Sequence, residues 1–273
     1  MNTLVTETAP AGPRPAAHRV TGTRVLHSEW AKLCSLRSTW VTLGLTLVVL
    51  IAFALIFASS YAPDEEGPMS DIGDGVAVAL GGINFAQLTL GVLGVLVMAG
   101  EYSTGMIRST LSAVPARLPV LWSKIAVFGV LAFVVSTVAA FVAFLPAQSM
   151  LSGSGIEVGL SDAGVVRSLL GAGVSLALMG VLGVTTGALL RSVAGGIGLL
   201  VGLLMLLPFF SDLLPTALNE TVSPYLPGNA AASMFTLHPA SDSLSPGIGL
   251  VALVGWVAVA AACAAWRLKR SDV

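Results

Sequence analysis

The chain has 273 residues, 55% hydrophobic and only 10% charged, with 13 Lys and Arg against 14 Asp and Glu for a formal net charge of −1. A soluble globular chain carries roughly 25% charged residues, and a mean hydropathy of +0.91 spreads the apolar excess over the whole length. These values exclude a soluble globular class, point to a membrane protein, and give no reason to expect a nucleic-acid partner.

Residues 1–22, rich in Pro, Ala and Thr, lack the apolar core of a cleavable signal peptide. They read as a disordered cytoplasmic tail, and the first hydrophobic stretch reads as an uncleaved anchor. Residues 23–39 read as an interfacial amphipathic helix. At about 100° per residue, Val25, Leu26, Trp30, Leu33 and Leu36 fall within about 140° of arc. Arg24, Lys32 and Ser35 lie largely opposite, and Glu29 and Arg37 intrude at the edge. Two readings stand for it: a basic segment that only sets topology, or a helix lying on the inner leaflet that also touches a cytoplasmic partner.

Six spans follow, roughly Trp40 to Ser60, Leu80 to Gly100, Ile125 to Leu145, Ser168 to Leu190, Ser192 to Ser211, and Gly247 to Trp266. About 20 residues at 1.5 Å each cross a ~30 Å hydrocarbon core. Backbone amides in lipid must be satisfied within the segment, so the spans are expected to be helical. Continuous apolar runs without alternation disfavour a β-barrel. The expected fold is therefore all-α and polytopic, with a transmembrane domain over 40–266 and a basic cytoplasmic tail over 267–273.

The charges orient it. With the N-terminus inside, Arg14, Arg19, Arg24, Lys32, Arg37, Arg108, Arg117, Lys124, Arg191, Arg267, Lys269 and Arg270 fall on the cytoplasmic side, leaving only Arg167 outside. Asp64, Glu65, Glu66, Asp71, Asp74, Glu157, Asp162, Asp212, Glu220 and Asp242 then lie externally. Trp40, Trp122 and Trp266 sit at cytoplasmic span ends, whereas Trp256 lies deep in the last span. The expected location is the cell (inner or plasma) membrane, multi-pass, with both termini inside.

No span contains Asp, Glu, Lys, Arg or His, which removes the usual residues of a proton path, a voltage sensor or a charged selectivity ring. His18, His27 and His238 lie outside the spans and far apart, and no H-E-x-x-H or G-x-S-x-G frame occurs, so catalytic residues are not expected. Cys34 and Cys263 imply neither a disulfide framework nor a structural metal site. Gly183/Gly187 and Gly198/Gly202 form GxxxG pairs on consecutive spans joined at Arg191-Ser192, where two backbones can approach closely.

The run from Gly100 to Pro119 is the polar exception. Gly100 and Gly105 have the spacing of a phosphate loop, but Met106-Ile107 stand where Lys and Ser/Thr are needed, so no nucleotide site is expected. The run instead fits a short helix across the inner face. Ser103 or Thr104 would cap it, Ile107, Leu111 and Val114 repeat at helical spacing, and Pro115 and Pro119 would end it. Glu101 is expected beside Arg108. Such a charged element between two long helices is a handle for something soluble.

The pattern Glu101, Gly105, Met106, Leu111, Pro115, Arg117 and then Lys124 resembles the E-x-x-x-G-T/M…L…P-x-x-R…K signature of the type-2 ABC-transporter permeases. The basic run from Ser28 to Trp40 resembles their connecting helix, and Tyr225 to Ala230 resembles the external segment before their last span. The resemblance implies a permease that dimerises with itself or a second permease and binds a separate ATPase subunit, which would hold ATP and Mg; this chain would bind no cofactor and have no enzymatic activity. Glu101 to Val114 would be the coupling helix, with Glu101, Tyr102, Gly105, Ile107, Arg108, Leu111, Pro115 and Arg117 as its coupling residues. Glu29, Trp30, Lys32, Leu33 and Arg37 would form the second contact. Residues 212–246 would be a re-entrant pair of short helices marked by Tyr225, Pro227 and Asn229; a Pro-rich external loop is the alternative reading. The uncharged spans favour an apolar or amphipathic export cargo. A non-transporting scaffold or sensor anchor using the same cytoplasmic handle is the competing reading.

Overall fold

A computed structural model of the chain describes residues 21–61, 73–114, 116–238 and 243–270. The expected tail residues 1–20, the C-terminal 271–273, Pro115, and the acids Asp64, Glu65, Glu66, Asp71 and Asp242 lie outside the described residues. Within them the protein is all-α, and six helices are long and apolar enough to cross a membrane.

Helix α1 (Gly22–Ser35) is followed by α2 (Arg37–Ser60), the first long apolar helix. The two are separate because Leu36 is extended, with φ −82° and ψ 114°. The indole Nε1 of Trp40 donates to the Cys34 carbonyl across this joint at 3.0 Å. The expected single helix over 23–39 thus ends four residues early, and Arg37 belongs to the first turn of α2.

A short helix, α3 (Gly75–Ala79), is capped by Asp74, whose carboxylate accepts from the Ala77 amide at 2.8 Å. Then come α4 (Ile83–Ser103), α5 (Met106–Ala113) and α6 (Leu118–Met150). At 1.5 Å per residue α6 is about 50 Å long, well beyond a ~30 Å hydrocarbon core, so the expected third span, Ile125 to Leu145, is only its middle. Helices α7 (Val165–Leu190) and α8 (Val193–Ser211) meet at a tight turn. Arg191 there adopts the left-handed conformation, φ 54°, and the Ser192 hydroxyl accepts from the Gly195 amide to start α8. A π-helical turn at Gly202–Leu206 widens α8 just ahead of Pro208, whose ring would crowd the carbonyl four residues back in a regular helix.

Between α8 and the last long helix, α11 (Pro246–Arg270), stand α9 (Thr216–Val222), a 3₁₀ turn at Ser223–Tyr225, and α10 (Pro227–Phe235). A pair of short helices forms here, one of the two readings that the sequence leaves open.

Helices α4 and α7 make the most extensive pairing, and α6 and α11 flank α7. Glycine sets the spacing of that central pair: a Cβ on Gly94 would fall on the Gly180 carbonyl, and one on Gly183 would fall on the Gly91 carbonyl. The Gly183/Gly187 pair therefore faces α4, with Gly187 also close to Gly196 at the start of α8, whereas Gly198 and Gly202 face open space. The α2, α8 and α11 surfaces stay apolar and exposed, through Val41, Val48, Phe209, Phe210, Val251 and Val259 among others, as lipid-facing helices require.

Candidate functional site

At the end of the bundle that holds α1, α5 and the last turn of α11, four charged side chains close into one network. Lys124, in the second turn of α6, donates to Glu29 Oε2 at 2.6 Å and to Glu101 Oε1 at 2.8 Å. Lys32, one turn after Glu29 on α1, donates to Glu29 Oε1 at 2.7 Å and to Glu101 Oε1 at 3.2 Å. Lys32 also donates to the Thr110 hydroxyl of α5 at 3.2 Å. That hydroxyl in turn donates to the Met106 carbonyl.

Glu29, Glu101 and Lys124 are buried to 1–4% exposure, and Lys32 is 26% exposed. Two carboxylates and two ammonium groups neutralise each other, which is the condition on which buried charge is tolerated. Burial is the largest influence on Lys32 and lowers its pKa. The hydrogen bonds to Glu29 and Glu101 and the charges of both carboxylates together outweigh it, so the net shift is upward from 10.5. Glu101 Oε2 has no hydrogen-bond partner among the described residues.

This arrangement corrects the expected face of α1. Val25, Glu29 and Leu33 are buried, while Leu26, Trp30 and Leu36 are exposed to 39–44%. The helix lies against the charged end of α6, so its inward stripe is chosen by Lys124 as well as by apolarity. Glu101 likewise pairs with two lysines and not with Arg108, which is exposed.

Helix α5 differs in its ends. Ser103 and Thr104 donate to the Gly100 carbonyl and finish α4, so neither caps α5. The cap position is Gly105, with φ 75°, where the backbone reverses in a conformation that glycine alone adopts freely. Glu101 and Tyr102 belong to α4, leaving Met106–Ala113 as the cross-helix itself. Ile107 and Leu111 point inward, 2% and 8% exposed, and Met106, Arg108, Ser109 and Ser112 point outward. Pro119 opens α6 and does not end α5.

A cleft of ≈ 280 Å³ separates α1 from α5, with Glu29, Lys32, Met106 and Thr110 among its walls. A second, of ≈ 290 Å³, separates α1 from α4 and is walled by Leu33, Leu96, Val97 and Glu101. The charges are thus the bridge across otherwise loosely filled joints. Nearby, the Arg191 guanidinium stands 5.3 Å from the centre of the Tyr102 ring. The Arg191 side chain also donates to the Arg267 carbonyl, Arg267 donates to the Leu189 carbonyl, and Arg117, with φ 56°, donates to the Leu268 carbonyl. The last turn of α11 is thereby tied to the α7–α8 turn and to the start of α6.

The third group of expected residues lies at the other end. The Tyr225 carbonyl accepts from Trp256 Nε1 at 2.9 Å. Trp256 is ten residues into α11, about 15 Å along its axis, so the turn between α9 and α10 reaches the middle of that helix. Asn229 fixes the turn by donating to the Ser223 carbonyl and hydroxyl at 2.8 and 3.0 Å. Pro227 is buried and Tyr225 is half exposed. Helix α10 packs back along α7 and α11, where Gly171 and Gly249 admit the Met234 and Ala230 carbonyls.

No group of three or more His, Cys, Asp or Glu residues with metal-holding geometry occurs among the described residues. No family model matches this chain, and no curated protein matches it either.

Proposed function

We propose that this chain is the membrane-spanning permease subunit of an ATP-driven exporter of the type-2 ABC class, working with a separate ATPase subunit and a second permease copy. In this reading the end bearing the Glu29–Lys32–Glu101–Lys124 network faces the cytoplasm of a cell membrane, where the basic residues favour it. The hairpin of α9 and α10 enters the outer leaflet, its backbone shielded by α7 and α11 as a re-entrant segment requires. The chain contributes no catalytic group; ATP and Mg are held by the partner.

One observation carries the reading. A short cross-helix with an outward face of Met106, Arg108, Ser109 and Ser112 is joined through Lys32 and Thr110 to α1, and through the shared ion network to the ends of α4 and α6. A push on α5 or α1 from a soluble partner is transmitted to the two long helices that leave that end, because breaking the link would strand buried charge. Both elements that the resemblance assigns to the ATPase converge on this network.

The test is co-expression with an ATPase encoded beside this chain, followed by co-purification and lipid-stimulated ATP hydrolysis. Arg108→Glu, on the outward face, is expected to weaken capture of the ATPase by about tenfold or more without changing the thermal midpoint of the isolated permease. An ATPase that binds equally well to the variant, with unchanged hydrolysis, would refute the coupling assignment.

A further inference from the structure

The end of the molecule opposite the ion network holds a cavity of ≈ 450 Å³ between the two arms of the α9–α10 hairpin and the lead-in to α11. In a chain this apolar its walls are unusual. Asn219 and Glu220 come from α9, Ser223 from the turn, Asn229 and Ser233 from α10, and His238 from the segment after it. Its size falls within the range of pockets that take small organic ligands.

The chemistry of the walls is one-sided. Glu220 brings a carboxylate that makes no ion pair among the described residues, and no Lys or Arg stands among the described lining. The side-chain oxygen Oδ1 of Asn219 is buried without a hydrogen-bond partner, which in a folded protein calls for an explanation. The Asn229 amide nitrogen is already committed to Ser223, leaving its oxygen as the group free to bond. The hydroxyls of Ser233 and Thr236 spend their protons on the Ala230 and Ala232 carbonyls, so they too offer lone pairs. The site therefore sets one carboxylate and several lone pairs beside a smaller set of donors, the Asn219 amide nitrogen, the Ser223 hydroxyl and the His238 ring.

We propose that this cavity is a binding site for a small hydrophilic solute that carries a primary ammonium group and several hydroxyl donors, the chemistry of an amino sugar or amino polyol. The ammonium group lies against Glu220, and the hydroxyls supply the donors that Asn219 and Asn229 lack. Such a ligand touches both arms of the hairpin at once. The site is independent of the ATPase-coupling reading, since it lies at the other end of the bundle and uses none of its residues.

The test is titration calorimetry on the full chain in phosphatidylcholine nanodiscs, with empty nanodiscs as the blank. Three probes of one size are used: glucosamine, glucose and glucuronate. Glucosamine is expected to bind saturably, glucose about tenfold or more weakly for want of the charged hydrogen bond, and glucuronate not at all. Glu220 is exposed on a helix with no buried residues, so substitutions there leave the packing alone. Glu220→Gln should abolish the preference for glucosamine over glucose, and Glu220→Lys should transfer it to glucuronate. Saturable binding by none of the probes, equal affinity for glucosamine and glucose, or a glucosamine affinity indifferent to both substitutions would each overturn the proposal.

Discussion

Lys124 and Glu29, 95 residues apart in the chain, form a buried ion pair at 2.6 Å that fastens the first helix to the longest one. Removing one member of such a pair leaves the other charged and desolvated, at a cost of about 3–5 kcal/mol. Lys124→Met is therefore expected to lower the thermal midpoint sharply in detergent micelles. Adding Glu29→Gln should recover most of the loss, because Lys32 and Glu101 then remain as a balanced pair. A double variant no better than the single one would mean that the network is not charge-balanced as described.

Lys32 sets the pH behaviour of the same cluster. Its pKa is raised above 10.5, so its stabilising contribution is complete at every pH below the unfolded value and is lost only as pH climbs through the higher folded value. The difference in thermal midpoint between the native chain and Lys32→Met should stay constant from about pH 7 to about pH 10 and shrink above that. A difference that already shrinks between about pH 6 and pH 9 would assign the effect to some other group.

The six spans were legible because lipid demands long uninterrupted apolar helices, and five of the expected boundaries, Ser60, Leu190, Ser192, Ser211 and Gly247, agree with the helix ends to within a residue. What the hydropathy pattern hid was the ion network, whose members sit singly at the margins of apolar runs. Glu101 ends one run, Lys124 precedes the next, and Glu29 looked like a flaw in the amphipathic arc of α1. The clue was there in the signs: two acids and two bases, one pair spaced three apart on a helix, all expected at the same membrane face. Trp30 misled for the complementary reason. The inward stripe of α1 is set by the pairing of Glu29 with Lys124 as well as by Val25 and Leu33, so its amphipathic arc does not point at its packing partner. Arg108 was paired with Glu101 on sequence proximity, but the reversal at Gly105 turns it outward.

The central glycines give a third expectation. A methyl group on Gly94 would meet the Gly180 carbonyl, where only backbone stands and nothing flexible can yield. Gly94→Ala should then cost about 1–3 kcal/mol through forced separation of α4 and α7. Gly198→Ala, on the open face of α8, should be neutral or slightly stabilising, since alanine is the better helix former by about 1 kcal/mol. Thermal midpoints of the two variants in the same detergent make the comparison. Equal losses would place α4 and α7 farther apart than the glycine contacts require.

The position of Trp256 was the oddity of the sequence, an indole far from either expected interface, and its bond to the Tyr225 carbonyl accounts for it. The bond lies at the protein surface, so with the hairpin in the outer leaflet, as proposed, lipid would keep water from that carbonyl, and leaving it unpaired would cost about 1–3 kcal/mol. Trp256→Phe keeps most of the ring's packing and removes only the donor. The cost should appear locally: faster hydrogen exchange across residues 223–229, with the amides of α4 and α7 unchanged. Because Asn229 independently closes the same turn through Ser223, Trp256→Phe combined with Asn229→Ala should open the hairpin more than the two single effects added together. Exchange at the turn that ignores Trp256→Phe would mean that the hairpin is held by α10 packing alone, and that the indole is there only for its apolar surface.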